Sequence, residues 1–141
     1  MTSQAFDSKV FSLQTVIRLT GLNKARIHGY IHRGLFRPFN YPKRGAPRGN
    51  RNVRNYCPRD VLRLCLLGAV CPYDSNRQRL ALLCRDLDAA IANFAVGGKR
   101  QNERLLFPPA SFAPWCCLSI DLAALVESQV SRMKQEIGDP V

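Results

Sequence analysis

The chain is 141 residues long, 46% hydrophobic and 22% charged, enough for a globular domain with a core of its own. No apolar run approaches the roughly 18 residues of a membrane span, and the opening MTSQAFDSKV lacks a secretory pattern, so a cytoplasmic protein is expected. The net charge of +11 is lopsided: residues 1–64 hold 13 Lys and Arg against 2 Asp and Glu, while residues 65–141 hold 8 against 8.

A merely solvated surface would spread its charge. Confinement to the N-terminal half points to a polyanion docked there, and to nucleic acid rather than an anionic membrane, because no amphipathic anchor accompanies it.

In chain order, residues 1–10 read as a frayed tail. Ser12–Thr20 carries Leu13, Val16 and Ile17 at helical spacing with Ser12 as N-cap, and Gly21 ends the helix. Asn23 caps a second helix, Lys24–Arg33, whose Ile27, Tyr30 and Ile31 face the core, with Gly34 closing it and Leu35 completing the apolar contact. Lys24, Ala25, Arg26 and His28 are left outward. Two short helices around a tight turn present the second one to a major groove, N-terminal residues against base edges. Lys24 and Arg26 suit guanine acceptors, and Asn23 and Ala25 suit adenine or the thymine methyl. His28 is a candidate phosphate contact or an ordinary exposed residue, and His32 a bystander.

Residues 36–56 hold Arg37, Lys43, Arg44, Arg48, Arg51 and Arg54 with no acid, broken by Pro38, Pro42, Pro47, Gly45 and Gly49. Extended pieces at 35–39 and 52–56 could pair as a hairpin with a basic tip; the alternative is a disordered basic arm. Either supplies salt-dependent grip on phosphates rather than sequence reading. Together with Arg33, these cations complete the expected contact set.

A third helix starts at Cys57-Pro58-Arg59-Asp60, with proline in its first turn and Asp60 favourable to the helix dipole, and runs apolar through Leu67. After a turn at residues 71–74, a helix over 75–94 puts Leu80, Leu83, Cys84, Leu87, Ile91 and Phe94 on one face, with Arg77, Arg85 and Asp88 opposite. Two short extended segments, Leu105–Phe107 and Trp115–Ile120, flank a proline loop. The last helix, Asp121–Ile137, spaces Ala123, Val126, Val130, Met133 and Ile137 as an a/d seam over about two heptads. That seam suits self-association, or it packs back on the helix at 75–94.

Six cysteines (Cys57, Cys65, Cys71, Cys84, Cys116, Cys117) form no C-x-x-C pair, so buried reduced thiols are the default, with adjacent Cys116-Cys117 the pair to test as a redox or metal sensor. No metal site and no cofactor is expected. The two histidines have no acidic neighbour in sequence, and Gly97-Gly98-Lys99 lacks the rest of a phosphate loop, so nothing suggests an enzyme.

Over residues 11–70 the sequence resembles the MerR family of bacterial winged-helix regulators. The matching pieces are FSLQTVIRLTGL, NKARIHGYIHRGLFRP and VRNYCPRDVLRL, with Thr20-Gly21, Tyr30, Gly34-Leu35, Arg54, Tyr56, Asp60 and Leu64 as like residues. His28 and Gly29 stand where that family carries arginine and tyrosine, the wing loop is longer, and the long dimer helix is shortened to 121–137. The resemblance implies a mainly α fold: a winged helix-turn-helix with a basic β-hairpin wing over 1–70, then a helical, dimerising region with a strand-like segment over 71–141. It implies a nucleoid-associated transcriptional regulator, bacterial or phage, working as a homodimer on double-stranded DNA, with RNA polymerase a further partner of an activator. A phage-type excisionase or architectural recombination factor is the other reading.

Overall fold

The computed structural model describes residues 4–8, 10–39, 56–72, 76–97, 104–107 and 118–137. It is mainly helical: α1 (Ala5–Ser8), α2 (Leu13–Thr20), α3 (Lys24–His32), α4 (Pro58–Val70), α5 (Arg77–Ala95) and α6 (Leu122–Ile137), with an antiparallel pair of strands, β1 (Arg104–Phe107) and β2 (Leu118–Asp121), before α6.

The helix ends follow local chemistry. Ser12 accepts from Thr15 N–H at the start of α2, and Gly21 ends it at φ 72°, where a side chain would be strained. Asn23 Oδ1 accepts from Arg26 N–H at 2.8 Å to start α3. The other end of α3 is a Schellman closure: Gly34 at φ 73° donates to Ile31 O, and Leu35 donates to Tyr30 O. The α2–α3 turn is thus fixed at both sides.

Leu22 in that turn is buried against α4, where a Cβ on Gly68 would lie 2.9 Å from Leu22 Cδ2. The turn docks there because α4 offers a glycine.

Within the stretch expected to be a frayed tail, Ala5–Ser8 instead forms α1. Phe6 is fully buried, edge-on to Phe94 with ring centroids 6.3 Å apart, and Asp7 pairs with Arg59 at 2.7 Å. One large buried ring is enough to dock a single helical turn.

A single apolar core runs from Phe6 through α2, α3, α4 and α5 to Met133 of α6. Three residues of the stripe expected to form a dimerisation seam belong to this core. Val126, Val130 and Met133 are 0–2% exposed within one chain, because α6 lays that stripe on α5, α4 and α2. Ala123 is half-buried, and the Ile137 side chain lies outside the described residues. The apolar stripe is filled by the chain itself, the other option that its spacing allowed.

Asp88, read as lying on the face of α5 opposite its apolar residues, joins Arg59 at 3.0 Å and Arg63 at 2.8 Å, tying α5 to α4.

Candidate nucleic-acid interface

The face of α3 left open by the core is built by spacing. Ile27 and Tyr30 point inward, so Ala25, Gly29, His32 and Arg33, at steps of four, three and one, fall outward. Asn23, Lys24, Ala25, Arg26, His32, Arg33 and Arg37 are exposed, and His28 is half-buried. Lys43, Arg44, Arg48, Arg51 and Arg54 lie outside the described residues.

Tyr30 organises two of the cations. Its ring is buried, while its hydroxyl accepts from Arg26 Nη2 at 3.2 Å and the Arg33 guanidinium lies 5.6 Å from its ring centroid. Arg33 Nε also donates to Gly29 O at 3.4 Å. The two arginines therefore flank Gly29 on one side of the helix, at positions i−4 and i+3 of the same tyrosine. Sequence reasoning placed Tyr30 in the core and missed this second role, though the Arg-x-x-x-Tyr-x-x-Arg spacing signals it.

An open groove follows. Asn23, Ala25, Arg26, Gly29, Tyr30 and Arg33 form its α3 side; Cys71 and Pro72, from the α4–α5 turn, form the other. Lys24 and His28 are not among its lining residues, so the expected contact residues divide between the groove and the rest of the helix surface.

Among the described residues, no ion pair joins Lys24, Arg26 or Arg33 to a carboxylate. No Asp or Glu occurs in the sequence between Asp7 and Asp60. The ion pairs of the described arginines fall instead on Arg18, Arg59 and Arg63, in α2 and α4. Asp60 is itself fully buried, with oxygens that accept from Cys57 N–H at 3.0 Å and Phe39 N–H at 3.1 Å. Sequence reading saw only its helix-dipole role. Here it also holds residue 39, where the basic stretch leaves the described fold.

The other end of that stretch is held too. Tyr56 pairs with Phe11 in an antiparallel bridge, with N···O distances of 2.6 and 3.1 Å. Residues 35–39 form no strand, and Tyr56 takes Phe11 in place of the expected partner. The tip, and with it the expected hairpin, lies outside the described residues.

Cys57, Cys65, Cys71 and Cys84 are in no disulfide. Burial pushes Cys57 up to about 12 and Cys65 and Cys84 up to about 11, while Cys71 is half-buried. Cys116 and Cys117 lie outside the described residues. No helix among the described residues is long and apolar enough to cross a membrane. Comparison with known proteins finds no family model, no curated protein and no solved structure that matches the chain.

Proposed function

We propose that this protein is a sequence-specific DNA-binding transcriptional regulator that lays α3 in the major groove. The observation that carries the reading is the outward face of α3: it exposes Lys24, Arg26 and Arg33, which form no ion pair among the described residues, and it is capped at an N-terminus that carries Asn23, Lys24 and Arg26. Those three supply donors of the type that purine edges accept. Arg33, Arg37 and the basic residues Lys43, Arg44, Arg48, Arg51 and Arg54 hold phosphates in this proposal, releasing counterions and setting orientation rather than sequence. The wing of the MerR resemblance is the form we propose for residues 36–56. Anchorage of its two ends by Asp60 and Phe11 supports that reading.

In vitro selection tests it. The purified protein is incubated with sheared genomic DNA and the retained fragments are sequenced. An enriched motif near promoters supports a regulator, and an inverted repeat would add that two copies bind. Clustered repeats at an integration site point to a recombination factor instead. Salt-sensitive retention of every fragment alike would overturn sequence reading by α3.

A further inference from the structure

The cations of the proposed interface were all found in the N-terminal half, yet the fold brings one from the other half beside them. Arg77, the first residue of α5, lays its guanidinium against the backbone of Gly34. A Cβ built on Gly34 would stand 2.9 Å from Arg77 Nη2 and 3.3 Å from its Cζ. Gly34 follows Arg33 directly and ends α3, so Arg77 comes to rest where the proposed reading helix stops. Its side chain is exposed, and among the described residues no carboxylate pairs with it. Contrast Arg59 and Arg63, whose charges are consumed by Asp7 and Asp88 inside the fold. An exposed arginine whose guanidinium lies beside Gly34, one residue past Arg33, is placed to meet an anion that approaches the end of α3 from outside.

We infer that Arg77 is a DNA phosphate contact, so that the interface extends past the helix-turn-helix onto the start of α5. The inference rests on the DNA-binding reading of α3 and adds a residue that neither the charge asymmetry nor the family resemblance includes. The groove beside α3 agrees with it, since its opposite side is already made by Cys71 and Pro72 of the same α4–α5 connection. A phosphate there is a point of grip and register, with no sequence information of its own.

The test compares full-length wild type, Arg77→Ala, Arg77→Lys and Arg85→Ala for binding to a mixed-sequence duplex across a salt series. Arg85 is an exposed arginine further along α5 and serves as the matched charge loss. Losing one phosphate contact lowers the log–log salt slope by about 0.9. Arg77→Ala should show that drop, Arg77→Lys should keep the wild-type slope because the charge is retained, and Arg85→Ala should be unchanged. Thermal melting of each variant separates a lost contact from a lost fold. A wild-type slope in a folded Arg77→Ala overturns the inference while leaving the α3 reading intact, as does an equal drop in Arg85→Ala. If the wild type itself shows no salt-dependent duplex binding, the α3 reading fails first and Arg77 falls with it.

Discussion

Two helix-interior glycines separate what a residue does for the fold from what it does for a ligand. A Cβ on Gly29 meets nothing within 4 Å, whereas one on Gly68 would press to 2.9 Å on the buried Leu22. Glycine costs a helix about 0.5–1 kcal/mol relative to alanine. Gly29→Ala should therefore raise stability by about that amount, while Gly68→Ala should lower it, because overpacking typically costs about 1–3 kcal/mol and outweighs the propensity gain. Urea denaturation of the two variants checks the opposite signs, and a destabilised Gly29→Ala would mean that the outward face of α3 is packed. Arg26 carries the residue-scale prediction for binding. Tethered by Tyr30 one turn away, it is presented rather than loose. Arg26→Ala should cost about 1–3 kcal/mol and relax preference at one base position, read by competition among duplexes changed one base pair at a time. A loss equal on all sequences would make Arg26 a phosphate contact.

At the scale of elements, Asp60 joins two of them: it caps α4 through Cys57 N–H and fixes residue 39 at the mouth of the basic stretch. Burial lifts its pKa above the usual 3.8, opposed by the N–H groups of Cys57 and Phe39. A carboxyl whose pKa is raised on folding adds stability that is complete below 3.8 and is lost as pH rises through the raised value. Asparagine cannot titrate there. The stability of wild type relative to Asp60→Asn should therefore grow on acidification through that window, measured by denaturation at a series of pH values. A relative stability that grows with rising pH would show that the hydrogen bonds outweigh burial. The cap itself illustrates what the sequence makes legible. Ser12, Asn23, Gly21 and Gly34 act within one turn of chain, so their positions bounded α2 and α3 to within a residue. Asp88 acts on Arg59 and Arg63 from 29 and 25 residues away, partners that helical spacing along α5 alone does not show. The same limit hid Arg77, whose neighbour Gly34 follows another helix, and the stem of the basic stretch, where Tyr56 pairs with Phe11 across the chain.

For the whole molecule the question is what the last helix is for. An apolar stripe stepping by three and four is the same pattern whether a second copy or the chain's own helices fill its groove, so the sequence left the choice open. The structure closes that stripe inside one chain: Val126, Val130 and Met133 lie in a core continuous with α2 and α4. At the end of α6, Arg18 pairs with Glu136 at 3.1 Å and Arg132 donates to Arg18 O at 3.3 Å, which ties α6 to the first helix of the helix-turn-helix. The ion pair is too exposed, with Arg18 at 60%, to contribute much. The buried side chains therefore hold α6 in place and, through it, the posture of the proposed reading head. Met133→Ala should destabilise the protein by about 2–5 kcal/mol, as truncation of a fully buried methionine does. Because the contact is internal, the shift in the unfolding midpoint should be the same at every protein concentration. A midpoint shift that depends on concentration, with dissociation on dilution, is the behaviour of a seam between copies and would restore α6 as the dimer helix.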